Sequence, residues 1–324
     1  MKNRALNLIL LIAFVVLPSV VLAGDFEGPL HIKNSHPLFL AMGSPELLSA
    51  KTGNSASVGL TYASTYMPDR SQAWSFGVDL ETAVLDLRLK KVLANGLEVS
   101  IDLPLISNNS GVLDGPLASY HNAFGFPDYG RSERPKNEFL FQVTRNGKTV
   151  IQGENGGISL GDIRLGIKKE LYSGGPLISL QGFVNLPTGD PDTGYGSGRV
   201  NGGASVLLNK ALNSTVMAYF NAGFGIIDTL AAQESVKLKN YLYGGAGVEW
   251  ALSGKWRLNA QFFAQQSPLR TTGVRDIDTT SSLLSLGGRY RVGKQSAIGI
   301  SLTEDPSTAG APDFMVALDY TYHF

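Results

Sequence analysis

From about residue 54 onward the chain alternates apolar and polar side chains, segment after segment, over runs of about 9 to 12 residues. A period of two marks a β-strand, and this length is what a tilted strand needs to cross a bilayer. One run places Val216, Ala218, Phe220, Ala222 and Phe224 on one face, with Met217, Tyr219, Asn221 and Gly223 between them. In another, Trp256, Leu258, Ala260, Phe262 and Ala264 oppose Arg257, Asn259, Gln261, Phe263 and Gln265. The pattern predicts twelve strands, near 55–66, 73–92, 96–107, 157–171, 175–187, 198–210, 214–226, 239–250, 255–266, 280–292, 295–303 and 313–324. Alternation alone suits a soluble β-sandwich as well as a membrane barrel.

The connections separate these two. After every second strand comes a tight turn: Ala94-Asn95-Gly96, Ser173-Gly174, Asn213, Ser253-Gly254 and Gly293-Lys294. The other gaps, that after the first strand included, read as longer polar loops, one of them running from about 108 to 156. Short turns at one end, long loops at the other and an even strand count predict an all-β fold: a transmembrane antiparallel outer-membrane β-barrel with short periplasmic turns and long extracellular loops. In the last strand Phe314, Val316, Leu318, Tyr320, Tyr322 and Phe324 share a face. This resembles the C-terminal aromatic signature by which the β-barrel assembly machinery recognises its substrates, which makes Tyr320, Tyr322 and Phe324 the expected assembly signal. Tyr66, Trp74, Tyr172, Trp250, Trp256 and Tyr290 fall near strand ends, where aromatic girdles meet the membrane interfaces.

Lys2 and Arg4 precede the apolar run Leu8 to Leu17, followed by Pro18 and the small-residue ending Val21-Leu22-Ala23. That reads as a signal peptide over 1–23, cleaved after Ala23, because an apolar run of this length is too short to span roughly 30 Å as a helix. Export followed by barrel insertion places the protein in the Gram-negative outer membrane, with lipid as its surroundings. Composition narrows the function. Lys+Arg 27 balance Asp+Glu 27, so no basic excess recommends nucleic acid. Cysteine is absent, which removes disulfides, thiolate metal sites and thiol catalysis together. Glycine, at 38 of 324 residues, is well above its usual share and suits crowded sheets and tight turns.

The faces opposite the apolar ones carry Asp79, Asp86, Arg88, Lys90, Glu98, Asp102, Asp162, Arg164, Lys168, Glu249, Arg257, Arg289, Arg291 and Asp319. A charge at the bilayer midplane costs roughly 2 to 4 kcal/mol, so these residues are expected to line the lumen. They suit either a polar conduit or an ion-paired filling, and twelve strands enclose a space that a segment of chain can plug. Two segments are candidates. Residues 24–53 hold Pro29, Leu30, Ile32, Pro37, Leu38, Phe39, Leu40, Met42, Leu47 and Leu48, more apolar groups than a disordered tail carries. The 108–156 loop holds a short helix signal over 112–124 and a hairpin signal at Asn146-Gly147, between 139–144 and 149–151. The division is therefore a leader over 1–23, a periplasmic or lumen-plugging segment over 24–53, and a barrel over 54–324 with a structured cap at 108–156.

Two resemblances follow from local motifs. Ser159-Leu160-Gly161-Asp162, Leu186-Pro187-Thr188-Gly189-Asp190 and Gly194-Tyr195-Gly196-Ser197-Gly198 resemble the pattern of outer-membrane channels of the MetA-pathway phenol-degradation group. Gly28-Pro29-Leu30 with Asn34 and Pro37, together with Tyr120-His121-Asn122-Ala123-Phe124-Gly125 and Gly130-Arg131, resembles an uncharacterised outer-membrane family known only as a domain of unknown function. The first resemblance implies uptake of small, fairly apolar compounds; the second implies no activity.

An enzyme is not expected. Ser119 and His121 stand two apart in a helix or loop, where such residues do not face each other, and none of the other histidines, His31, His36 and His323, completes a triad. His31 and His36, five apart with no carboxylate beside them, make a poor metal site, and no cofactor is implied. The expected function is a passive channel or transporter for a small solute. The alternative is a closed barrel whose extracellular cap has a structural, adhesive or partner-binding role.

Overall fold

The computed structural model describes residues 26–117, 119, 135–307 and 309–324. The expected leader lies outside these residues, as do 118 and 120–124 of the expected 112–124 helix, of which 114–117 are helical. The strands are β1 (Ser55–Arg70), β2 (Trp74–Val92), β3 (Leu97–Asn109), β4 (Leu140–Arg145), β5 (Lys148–Gln152), β6 (Ser159–Leu160), β7 (Ile163–Tyr172), β8 (Leu177–Leu186), β9 (Asn201–Ala211) and β10 (Val216–Ile226). They continue with β11 (Thr229–Leu230), β12 (Val236–Lys237), β13 (Tyr241–Ala251), β14 (Trp256–Gln265), β15 (Ser281–Arg291), β16 (Ser296–Glu304) and β17 (Phe314–His323). The short helices bounded by described residues are α1 (Pro37–Ala41) and α2 (Arg275–Asp278).

Twelve of these strands, β1 to β3, β7 to β10 and β13 to β17, pair each with the next. β17 returns antiparallel to β1 from Ser55↔His323 to Ser64↔Phe314. The sheet is thus a closed barrel, in which every strand finds its hydrogen bonds in a neighbour and no edge meets lipid. The side chains sort as the alternation requires. Leu89, Ile167, Val206, Phe262, Leu286 and Ile300 are exposed on the outside, a surface suited to hydrocarbon. On β14 the opposite set, Arg257, Asn259, Gln261 and Gln265, is buried inside. Toward the periplasmic end Trp256 packs on Tyr290 with ring centroids 4.8 Å apart, and Tyr320, Tyr322 and Phe324 face outward.

Turns of four residues join β2–β3, β7–β8, β9–β10, β13–β14 and β15–β16, whereas most connections at the other end are long. The expected hairpin forms the pair β4–β5, with Asn146 at φ 51° and Gly147 at φ 77°. Two successive positive φ values match the twist of the flanking strands, and Asn-Gly adopts them at low cost.

Three sequence expectations are corrected here. The connection after β1 is not a long loop: β1 and β2 run on to Arg70 and from Trp74, leaving only residues 71–73 between them. Pro68 lies within β1, but beyond Ser64 β1 has no β17 neighbour, and an edge position tolerates a missing N–H. Asp79 does not line the lumen. The β1–β2 register is unbroken from Ser55↔Lys90 to Arg70↔Ser75, so Asp79 shares a face with Glu81, Leu87 and Leu89 rather than with Asp86 and Arg88. Glu81 on that face accepts the Val112 and Leu113 N–H groups, which places the 110–113 stretch over this part of the outer face. Trp74 likewise is no girdle residue: it is buried and stacked on Phe76 at 5.5 Å.

Candidate functional site in the barrel lumen

Residues 26–53 run inside the barrel as a re-entrant loop. An ascending leg leads to α1 near the extracellular end, and a descending leg returns to β1; the legs touch at the bridge Lys33↔Glu46. His36 caps α1 by accepting the Leu38 N–H on its Nδ1. Gly43, at φ 86°, begins the descent; a Cβ there would come within 2.4 Å of Asn185 Nδ2. The segment has no regular sheet partner, so the wall must satisfy its backbone polar groups with side chains.

Primary amides do so with both atoms. Asn221 accepts the Leu48 N–H at 2.7 Å and donates to the Leu48 carbonyl at 3.0 Å. Gln261 does the same to Leu30, at 2.9 and 3.3 Å. Asn209 accepts from Ala50 N–H at 2.9 Å, and Asn259 donates to the Gly28 carbonyl at 3.1 Å. An amide thus imitates one rung of a β-ladder from a barrel wall.

The expected lumenal charges meet the same segment. On the ascending leg Glu249, with no exposed surface, accepts the Glu27 and Gly28 N–H groups at 2.8 and 2.9 Å and the Tyr219 hydroxyl. Arg289 donates to the Gly28 and Pro29 carbonyls at 2.8 and 2.9 Å and lies 3.5 Å from Asp319. Arg257 lies 3.9 Å from Glu249 and folds back onto the Trp256 carbonyl. On the descending leg Arg164 donates to the Ser44 carbonyl at 2.9 Å while its guanidinium lies over the Phe183 ring. Lys168 donates to the Ser49 and Lys51 carbonyls and pairs with Glu98 at 3.0 Å, and Glu98 accepts the Gly53 N–H at 2.9 Å. Asp162 behaves differently: at the break between β6 and β7 it accepts the Gly189 and Ser197 N–H groups and the Ser197 hydroxyl, so it fastens the 187–200 loop.

Where the two legs meet, the wall and segment share an ion cluster. Arg88 donates bidentately to Asp102 at 2.7 and 2.9 Å and also bonds Glu46. Lys33 lies 3.0 Å from Asp86 and 3.5 Å from Asp102. Arg88 also lies 2.8 Å from His31 Nδ1. A guanidinium has no acceptor, so Nδ1 carries a lone pair there and the imidazole is neutral. At the periplasmic mouth Glu27 pairs with Arg291 and, at 3.2 Å, with His323. Burial alone would raise its carboxyl, but these two partners outweigh burial and hold it at about 2.

Sequence reading found the wall charges but not their partners. Glu27, His31, Lys33 and Glu46 belong to a segment without periodicity, the amides Asn221, Asn259 and Gln261 are visible as polar groups of alternating strands without a stated role, and Asn209 is not singled out. The signal available was their kind: amides offer a donor and an acceptor together, as a backbone requires. Ser119 Oγ donates to the Gly115 carbonyl at 3.0 Å, and His121 lies outside the described residues. Among the described residues no group of three His, Asp or Glu is placed to hold a metal ion.

A closed twelve-strand barrel with an apolar belt, short periplasmic turns and a polar interior defines the outer-membrane β-barrel class. The chain belongs to the family described as protein of unknown function (DUF3187), whose model matches residues 5–324. The fold is similar to that of the COG4313 outer membrane channel from Pseudomonas putida F1, with a TM-score of 0.56 at 14% identity, over 85% of this chain and 96% of that one. A lesser likeness, with a TM-score of 0.42 at 13% identity, is to the Ralstonia pickettii toluene transporter TbuX, over 93% of this chain and 96% of that one. No curated protein matches the chain.

Proposed function

We propose that the protein is a passive channel for a small solute, held shut at rest by its own residues 26–53. The observation that carries this reading is the chemistry of the contact: wall amides and charges hold the segment's backbone groups by hydrogen bonds, and water can replace these bonds when the segment leaves. Toward the extracellular end the interior is apolar, with Phe76, Val78, Phe141, Val143, Tyr241, Tyr243 and Phe263 in one buried cluster, which suits a solute with an apolar body. Export through a cleaved leader at 1–23 and insertion by the β-barrel assembly machinery through Tyr320, Tyr322 and Phe324 complete the proposed route to the outer membrane. Deleting Phe324 is expected to reduce the heat-modifiable folded band on unboiled gels.

The test of the channel is deletion of residues 28–48 followed by single-channel recording in planar bilayers. Conductance should rise while the barrel remains folded, because its strands close their own hydrogen bonds. A folded deletion variant that conducts no better than the intact chain overturns the proposal. It would favour the second reading, a closed structural barrel, which draws on the ion pairs of Arg88 with Glu46 and Asp102.

A further inference from the structure

The periplasmic mouth holds a cavity of about 370 Å³, within the size range of small-ligand sites. Five cations line it: Lys51, Lys90, Lys168, Arg291 and Lys294. Two side-chain carboxylates line it as well, and both are occupied. Glu98 is bound to Lys168 and to the Gly53 N–H; Glu27 is bound to Arg291 and His323. Glu170 nearby is taken by the Thr52 N–H and hydroxyl. Lys51, Lys90 and Lys294 form no ion pair with any described residue.

Lys90 is the most telling of the three. It sits on the inward face of β2 opposite Ser55, one turn of the pleat below Arg88. It lines the mouth cavity and also the cavities of about 50 and 30 Å³ that continue inward beside the segment. Its ammonium makes no ion pair or hydrogen bond with any described residue, whereas Lys168 and Arg291 in the same cavity each have one. Its charged neighbours are the cations Arg88 and Lys168 and the carboxylates Glu46 and Glu98 that those cations already hold, so a half-buried ammonium here is costly until a further anion joins it. At the rim, Phe26 and Phe324 give the same cavity an apolar border.

We infer that this mouth is a binding site for a small organic carboxylate with a compact apolar body, whose carboxylate pairs with Lys90 between Lys51 and Lys294. As the periplasmic station of a transport path the site rests on the channel reading; as a binding site it stands apart from it. Binding is therefore measured on the intact, closed protein, and conductance separately.

The experiment is calorimetric titration of the detergent-purified full chain at low salt with benzoate, benzamide and inorganic phosphate. Benzoate should bind at least tenfold more tightly than its neutral isostere benzamide and more tightly than phosphate, which lacks the apolar body. Lys90→Gln should weaken benzoate at least fivefold, whereas Lys255→Gln, on a periplasmic turn outside the cavity, should leave it unchanged. If Lys90→Gln lowers the yield of folded barrel, the pair Lys51→Gln and Lys294→Gln provides the same test, with an expected loss of about threefold. Equal binding of benzoate and benzamide, equal binding of phosphate and benzoate, or unchanged benzoate binding in the folded lysine variants overturns the inference. Benzoate binding by a protein whose deletion variant does not conduct would uphold the site and reject the channel.

Discussion

The ascending end of the lumenal segment and its middle are held by different forces. Near α1, Leu38 and Met42 are buried in the apolar cluster of Phe76, Phe141, Tyr241 and Phe263. Lower down, Glu46 and His31 meet Arg88, Lys33 meets Asp86 and Asp102, and backbone groups meet Asn221, Gln261 and Arg289. Apolar packing is nearly indifferent to salt and pH, whereas charge pairs weaken in both salt and acid. The two regions therefore give one closure two independent sensitivities.

A common readout separates them. The chain has no native cysteine, so a single cysteine at Ala50, which is fully buried beneath Asn209, reports undocking through its rate of maleimide labelling. Each tenfold increase in rate corresponds to about 1.4 kcal/mol lost from docking. Arg88→Ala should produce the largest effect, since it leaves Glu46 and Asp102 buried without their partner; about 3 to 5 kcal/mol is expected. Added salt should narrow the gap between this variant and the parent. Leu38→Ala should cost about 2 to 4 kcal/mol through the cavity it leaves, with no dependence on salt. Should both variants respond to salt alike, the division into an apolar and an ionic region is wrong.

Asn221→Ala sharpens the comparison at the level of single bonds. It strips partners from both the N–H and the carbonyl of Leu48, and about 1 to 3 kcal/mol is expected. Asn221→Asp should recover the acceptor but not the donor and fall between the parent and the alanine variant. The smallest effect belongs to Glu27. Its carboxyl is held at about 2 against an ordinary 4.5, so its contribution is complete above about pH 4.5 and is lost as the pH falls from there toward 2. Labelling of the parent should accelerate a few-fold over that window, and Glu27→Gln should remove this part of the pH dependence.

The barrel was legible in the sequence because its information is local: alternation in Val216–Phe224 or Trp256–Gln265 fixes a strand and its two faces without reference to any other part of the chain. The misjudged places are those where a local sign was outvoted. The alternation near 55–66 ended the first strand early, and pairing with β2 carries it on to Arg70. Asp79 was grouped by charge when the unbroken register required grouping by parity. The lumenal site was legible on one side only. Its partners lie far apart in the chain, as Gly28 and Glu249 do, and join through backbone atoms that every residue possesses, so no side-chain pattern in 26–53 announces them. Inward amides and unpaired charges indicate that something must fill the barrel, without saying which segment does so.

The re-entrant course of residues 26–53 has a mechanical consequence. Both ends of the loop lie at the periplasmic mouth, one beside Glu249 and Arg291, the other beside Glu98 and continuous with β1. Tension applied at residue 26 toward the periplasm would not strain all the contacts at once, as a rod pulled through a tube would. It would load the Glu27 and Gly28 contacts first, then those of Leu30, then the Lys33–Asp86 pair, peeling the loop one attachment at a time from below. A fastening arranged in series yields to a force far smaller than the sum of its bonds, yet under thermal agitation alone, with no direction of pull, it opens only when many release together.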